Sequence, residues 1–169
     1  MKQKIIYFFL LLSTNLFAQN KEKVADEGYE LVLNTLLKHT VPEVSVVELK
    51  QKLDDVILLD TREDDEYQVS HIAGAKHVGY DFFSKNKVKS IDKDTPVVVY
   101  CSVGYRSEKI SEKLIKMGYQ DVANLYGGIF EWVNQGNTVV KGEENIPTEE
   151  IHAYDRIWGA WLKAGKKVY

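Results

Sequence analysis

The chain has 169 residues, of which 44% are hydrophobic and 28% are charged, and its formal net charge is −3. This length and composition suit one globular domain with a full core, and they exclude a fibrous or disordered chain. The mildly acidic balance also argues against nucleic acid as a partner.

The amino-terminal segment differs from the rest of the chain. Lys2 and Lys4 precede an apolar run over residues 5–12, and polar residues follow Ala18. This order predicts a signal peptide over residues 1–18, so that the mature protein is periplasmic or secreted and has no stable membrane association. The alternative is an uncleaved membrane anchor, although the apolar run is short for a span. Cleavage would change the formal charge from −3 to −5, because two lysines are lost.

The mature chain alternates helical and strand patterns. Apolar residues at helical spacing predict an amphipathic helix in an extension over residues 19–41, packed on the outside of the main domain. Further along, predicted strands cover residues 44–46, 56–60, 75–78, 97–100 and 122–125, and predicted helices cover 47–53, 63–69, 80–84, 105–116 and 127–132. This alternation predicts an α/β domain over residues 42–140, with a doubly wound parallel sheet and helices on both of its faces.

The carboxy-terminal segment, residues 141–169, begins with a polar linker. Ile151, Trp158, Trp161 and Leu162 follow at intervals that mark one face of a helix over residues 149–164. We therefore expect a carboxy-terminal amphipathic helix. It either docks on the domain through its aromatic side chains or binds a protein partner.

Cys101 is the single cysteine of the chain, so no internal disulfide can form and its thiol is inert, intermolecular or reactive. It follows a predicted strand of valines and one tyrosine, and a predicted helix begins at Tyr105. This placement puts the thiol at the carboxyl edge of a parallel sheet, where ligands bind. A helix amino terminus stabilises an anion there, and Arg106 adds a positive charge. The pattern favours a reactive thiolate.

Four segments resemble, in the same order, the motifs of the rhodanese superfamily of sulfurtransferases. The family motifs D-x-R-x-x-x-E-[YF], G-H-I-P-G-A, C-x-x-G-x-R-S and G-G-x-x-x-W are matched by residues 60–67, 70–75, 101–107 and 127–132. Ser70 and Ala73 replace the glycine and the proline of the second motif, in a turn. The resemblance extends over residues 43–139.

The resemblance implies a rhodanese-like fold and a sulfurtransferase without a cofactor. A sulfane sulfur would move from a donor such as thiosulfate to a thiol or cyanide-like acceptor through a persulfide on Cys101. We expect Cys101 and Arg106 to be catalytic, with Arg106 attracting an anionic donor. Converging backbone N–H groups would hold the sulfur anion. The predicted persulfide loop consists of Ser102, Val103, Gly104, Tyr105 and Ser107, of which Val103 and Tyr105 shape the pocket mouth.

Two charged residues on the neighbouring strand end are predicted to support the site. Asp60 either caps the following turn or orients the active loop, and Arg62 either forms an ion pair or attracts the substrate. His71 is predicted to be a hydrogen-bonded turn residue, and no histidine spacing indicates a metal site. The pair Gly127-Gly128 is expected to permit a close backbone approach at a helix start.

Two other classes of protein remain as alternatives. Cysteine phosphatases and arsenate reductases use a related loop with one more residue between cysteine and arginine, which suits a tetrahedral oxyanion. The shorter loop in this chain, residues 102–105, favours sulfur. The other alternative is a noncatalytic rhodanese-like module that binds a partner, and the presence of Cys101 argues against it.

Overall fold

A five-stranded parallel sheet forms the centre of the protein, in a computed structural model that describes residues 23–169. The predicted signal peptide lies outside the described residues. The spatial order of the strands is β1-β5-β4-β2-β3. Their bounds are Glu43–Val44 (β1), Ile57–Asp60 (β2), Lys76–His77 (β3), Val97–Tyr100 (β4) and Val122–Leu125 (β5). The prediction of a parallel sheet is confirmed.

Helices connect the strands. Their bounds are Glu27–Leu36 (α1), Val46–Gln51 (α2), Asp64–Val69 (α3), Tyr105–Lys116 (α4) and Gly128–Asn134 (α5), with short 3-10 turns over Leu53–Asp55 and Lys85–Lys87. The helical turn predicted over residues 80–84 is wrong. The Glu63 carboxylate, which comes from the start of α3, accepts hydrogen bonds from the backbone N–H groups of Tyr80 and Asp81. These donors are therefore satisfied without a helix.

The core lies on both faces of the sheet. All four residues of β4 are buried, and alternate side chains point to opposite faces. Val98 belongs to the cluster that contains Phe130 of α5, whereas Val99 packs with Ile110 and Leu114 of α4. This two-sided burial explains the continuous apolar run of the strand, and it confirms that helices cover both faces.

The predicted carboxy-terminal helix is wrong. This segment instead forms a hairpin of β6 (Val139–Lys141) and β7 (Ile146–Thr148), a parallel pair of β8 (Glu150–His152) and β9 (Lys166–Val168), and a 3-10 turn over Trp158–Trp161. Ile151 and Ala153 are both buried, which is the two-residue period of a strand. The Asp155 carboxylate accepts from the N–H groups of Ile157 and Trp158, so a local turn replaces the helix.

The carboxy-terminal segment is nevertheless docked on the domain. Ile151 and Leu162 are buried in the same core cluster as the helices of that face. The indole of Trp161 stacks on Tyr29 of α1 with ring centroids 5.4 Å apart, and the Asn134 amide donates to the Trp161 carbonyl oxygen. The amino-terminal helix and the carboxy-terminal segment therefore pack against each other as well as against the sheet. No helix within residues 23–169 is long and apolar enough to cross a membrane.

Candidate active site

Cys101 lies directly after β4, at the base of a cavity of about 440 Å³. Its side chain is buried, and the backbone N–H of Gly104 donates to Sγ over 3.1 Å. The Ser107 hydroxyl lies 3.5 Å from Sγ but also 3.1 Å from the Gly104 carbonyl oxygen. Because that hydroxyl has one proton and the contact with the carbonyl is shorter, the Gly104 N–H is the main donor to the sulfur.

Gly104 permits the tight turn between the strand and the helix. Its φ is 116°, a left-handed conformation that a side chain strongly disfavours, and it serves as the amino-terminal cap of α4. The Gly104 carbonyl oxygen accepts from the Asn124 side chain of β5 over 3.0 Å. Asn124 is fully buried. The sequence analysis did not predict its hydrogen bond to the loop, although a polar residue inside a buried strand is a signal for such a role.

The first turn of α5 fixes the other end of the loop. The N–H groups of Ile129 and Phe130 donate to the carbonyl oxygens of Cys101 and Ser102 over 2.9 and 3.1 Å. A Cβ atom on Gly128 would lie 2.6 Å from the Ser102 carbonyl oxygen and closer still to that of Cys101. The close backbone approach that was predicted for Gly127-Gly128 is confirmed.

Arg106 binds a carboxylate and is not free in the pocket. Its guanidinium forms two hydrogen bonds of 2.6 and 2.7 Å with Glu66 of α3, and it contacts the Ser102 hydroxyl, which donates to Glu66 over 2.8 Å. Sequence reasoning gave Glu66 no role, although this residue belongs to the first motif. Arg106 lines the cavity while it is paired with Glu66, and its attraction of an anionic donor stays a prediction.

The electrostatics of this pair follow from burial and mutual attraction. Burial raises the pKa of Glu66, but the hydrogen bonds and charge of Arg106, with the charge of Arg62, outweigh it and lower the pKa overall. Burial lowers the pKa of Arg106, whereas its hydrogen bonds to Glu66 and the negative charge of a Cys101 thiolate raise it overall.

Asp60 and Arg62 form a fully buried ion pair that does not line the cavity. The Arg62 guanidinium binds the Asp60 carboxylate with a shortest contact of 2.6 Å, and it donates to the Ser70 carbonyl oxygen. Asp60 also accepts the Arg62 backbone N–H over 2.9 Å. Of the open alternatives, the structure therefore shows turn capping for Asp60 and an ion pair for Arg62. Together they support the turn that leads to α3.

The cavity mouth combines predicted and unpredicted residues. Val103 and Tyr105 line it, in the positions expected of them. Three further lining residues come from the two ends of the described chain and were missed as site residues: Leu36, Tyr154 and Trp158. The sequence predicts packing on the domain or partner binding for the carboxy-terminal segment, and no sequence signal places these distant segments at the loop.

None of the histidines in the described part of the chain lines the cavity. The His71 ring stacks on Tyr67 with centroids 4.0 Å apart, and Nδ1 lies 3.2 Å from the Tyr67 carbonyl oxygen. Burial lowers the pKa of His71. This is the hydrogen-bonded turn histidine that the sequence predicted. Among residues 23–169, no group of three or more His, Cys, Asp or Glu side chains is arranged to hold a metal ion.

The structure is that of an α/β protein whose site contains one buried cysteine thiol, between the end of a strand and the start of a helix. A family model, the rhodanese-like domain, matches residues 45–135, which is more than half of the chain. The chain belongs to the rhodanese-like family.

Two curated relatives carry different names. The thiosulfate sulfurtransferase GlpE of Coxiella burnetii is 35% identical over 81 residues, which cover 48% of this chain and 75% of that protein. A tRNA uridine(34) hydroxylase of Staphylococcus aureus is 37% identical over 116 residues, which cover 63% of this chain but 35% of that protein.

Solved structures share the fold. A thiosulfate sulfurtransferase from Pseudomonas aeruginosa superposes with a TM-score of 0.57 at 26% identity, over 71% of this chain and 23% of that one. A rhodanese-related protein from Thermoplasma volcanium superposes with a TM-score of 0.55 at 26% identity, over 60% of this chain and 99% of that one. The predicted rhodanese-like fold is confirmed.

Proposed function

We propose that this protein is a thiosulfate-type sulfurtransferase in which Cys101 carries the transferred sulfur as a persulfide. The observation that carries the proposal is the Gly104 N–H, which donates to Sγ over 3.1 Å at the base of a solvent-connected cavity. A fixed amide donor at the start of a helix favours negative charge on this sulfur. The similarity to the GlpE sulfurtransferase supports the same chemistry.

The reaction has two balanced steps. In the first step the Cys101 thiolate attacks the sulfane sulfur of thiosulfate, a bond from Sγ to that sulfur forms, and the sulfur–sulfur bond of thiosulfate breaks. Its electron pair leaves with sulfite. In the second step a nucleophilic acceptor attacks the outer sulfur of the persulfide, and the electron pair returns to Sγ. The Gly104 N–H stabilises the thiolate at the start and at the end of this cycle.

The geometry argues against a phosphatase or arsenate reductase. Such an enzyme needs a guanidinium that binds two oxygens of the substrate anion. In this protein Glu66 binds both terminal nitrogens of the Arg106 guanidinium, and Ser102 accepts a further hydrogen bond from one of them. The noncatalytic alternative is also disfavoured, since the thiol and its amide donor are both in place.

The test is persulfide formation. After incubation with thiosulfate and removal of the excess, intact-mass measurement of the wild-type protein should show a gain of about 32 Da, one sulfur atom. Cys101→Ser should show no gain and should form no thiocyanate from thiosulfate and cyanide. Equal thiocyanate formation by both proteins would refute the proposal. Release of phosphate from an aryl phosphate without sulfur transfer would favour the phosphatase alternative.

Export is part of the proposal and depends on residues 1–18, which lie outside the described structure. A reactive thiol outside the reducing cytoplasm needs a local acceptor or reductant to return it to the thiolate. Amino-terminal sequencing of the exported protein should begin at Gln19. Recovery of Met1 in the membrane fraction would favour the uncleaved anchor.

A further inference from the structure

The mouth of the Cys101 cavity carries an apolar rim that lies outside the part of the chain matched to the family. The rim consists of Leu36 at the end of α1 and of Tyr154 and Trp158 in the carboxy-terminal segment. The tyrosine ring faces the guanidinium of Arg106, with 5.1 Å between Cζ and the ring centroid. The two terminal segments therefore complete a pocket whose base is supplied by the rhodanese-like domain.

The rim is held in place by side chains of its own segment, which accept hydrogen bonds from its backbone. Tyr154 has a φ of 65°, a left-handed conformation that is costly for a tyrosine, and its N–H donates to His152 Nδ1 over 3.1 Å. Trp158 begins a 3-10 turn, and its N–H donates to the Asp155 carboxylate over 2.8 Å. Leu162 anchors the end of this turn in the core. A rim that is ordered in advance loses little entropy when a ligand binds.

Among the described residues, the charges around the mouth offer a charged acceptor no unpaired cation to bind. Arg106 is neutralised by Glu66, whereas Glu63 and Asp81 both line the cavity. A volume of about 440 Å³ lies in the range of pockets for organic ligands and exceeds what cyanide or thiosulfate fills. Aromatic and aliphatic walls lined in part by carboxylates favour an acceptor that has an apolar body and no negative charge.

We infer that the sulfur acceptor of this protein is an organic thiol with an uncharged aromatic body, which Tyr154 and Trp158 bind over the Cys101 persulfide. This inference rests on the proposed sulfurtransferase function. The acceptor thiol loses its proton to solvent, and its thiolate attacks the outer sulfur. The bond between that sulfur and Cys101 Sγ breaks, the electron pair stays on Sγ, and an organic persulfide leaves. Donor loading requires none of the rim, since thiosulfate reaches the thiol as a small ion.

The experiment compares three acceptors on protein that has been loaded with thiosulfate. Phenylmethanethiol is aromatic and uncharged, 4-(mercaptomethyl)benzoate adds a negative charge, and 2-mercaptoethanol is small with a thiol of similar acidity. The measured quantity is the preference, the ratio of kcat/KM for phenylmethanethiol to kcat/KM for 2-mercaptoethanol. We expect a wild-type preference of at least about tenfold, and weaker use of the benzoate than of phenylmethanethiol.

The variants Tyr154→Ala and Trp158→Ala should each lower this preference by about tenfold, through a higher KM for the aromatic thiol. Tyr154→Phe keeps the ring and should keep the preference. Ile157→Ala is the matched control, because Ile157 lies between the two aromatic residues, is 76% exposed and does not line the cavity. Thermal unfolding of every variant separates loss of fold from loss of binding, and Trp158→Phe replaces Trp158→Ala if the latter does not fold.

The possible failures are distinguishable. Absence of the persulfide mass gain in the wild-type protein would refute the proposed function itself. Normal loading together with an unchanged preference in folded Tyr154→Ala and Trp158→Phe would refute the inference alone. Stronger use of the benzoate than of phenylmethanethiol would also overturn the inference, because the cavity mouth would then attract a negatively charged acceptor.

Discussion

The Cys101 loop and the carboxy-terminal segment line the same cavity, but they are held there by different means. Backbone N–H groups of α5 donate to the carbonyl oxygens of the loop. At Gly128 the backbones of the two segments are so close that a side chain would not fit between them. The carboxy-terminal segment depends on a three-residue strand pair and on buried side chains such as Leu162. Backbone contacts thus fix the position of the reacting sulfur. The shape of the mouth depends on side chains and can change without moving the sulfur.

The largest effect is expected from a methyl group at the backbone contact. Gly128→Ala would push its Cβ into the carbonyl oxygens of Cys101 and Ser102 and would place alanine at a φ of 57°. Because both neighbours are backbone atoms, the loop must move as a unit. We expect a loss of roughly 4 kcal/mol or more in the free energy of unfolding and no detectable persulfide at Cys101. Denaturant unfolding and intact-mass measurement test this.

The control for that variant is Gly136→Ala. Gly136 has a similar positive φ of 76°, but its Cβ would meet nothing within 4 Å. This variant should lose only about 1 to 2 kcal/mol, the cost of the backbone conformation. Equal losses of unfolding free energy in the two variants would mean that the positive φ, and not the close approach of α5 to the Cys101 loop, destabilises Gly128→Ala.

A smaller and separable effect is expected in the carboxy-terminal segment. Leu162→Ala removes a fully buried side chain from the core cluster and should lower the free energy of unfolding by about 2 to 4 kcal/mol. Since the hydrogen bonds of the Cys101 loop are untouched, the folded variant should still gain the persulfide. Ile146→Ala, at a side chain that is 51% exposed, should change stability by less than about 0.5 kcal/mol. A Leu162→Ala protein as stable as the control would show that the segment is not part of the cooperative fold.

The two regions also differ in how far their structure could be predicted from the sequence. The bounds of β4 and α4 agree with the prediction, because β-branched residues favour a strand in the first and a helical period of apolar residues continues over three turns in the second. In the carboxy-terminal segment, the apolar residues fit a helical face, but Asp155 forms a turn and Ile151 enters a strand. The local hydrogen bonds of Asp155 and the strand pairing of Ile151 therefore outweighed the helical spacing.

The contacts of the site were predictable only where they are local. Gly104 and Ser107 lie within six residues of Cys101, and a strand–turn–helix unit brings them to the sulfur. The pairing of Arg106 with Glu66 joins α4 to α3 across 40 positions of the chain. Such a contact depends on the order of strands in the sheet, which no local pattern specifies. The rim residues Leu36 and Tyr154 were unpredictable for the same reason.

Glu66 lies where the two regions meet, because α3 carries it and packs against β8, while its carboxylate binds Arg106 of the loop. Its pKa is lowered in the folded protein. The ion pair therefore stabilises the fold above about pH 4.5, the ordinary pKa of a glutamate, and this contribution is lost as the pH falls through the lower folded value. Glu66→Gln should be less stable than the wild-type protein by about 1 to 3 kcal/mol at neutral pH.

The sharpest form of this test is the difference in unfolding free energy between the wild-type protein and Glu66→Gln, followed from neutral pH to about pH 3. Subtraction cancels the carboxylates that both proteins share, so the difference should shrink as Glu66 becomes protonated. Glu143→Gln, in the exposed turn between β6 and β7, is the control and should follow the wild-type curve. A difference that stays constant across this pH range would mean that glutamine perturbs packing at α3, and that the charge of Glu66 does not join the loop to the carboxy-terminal segment.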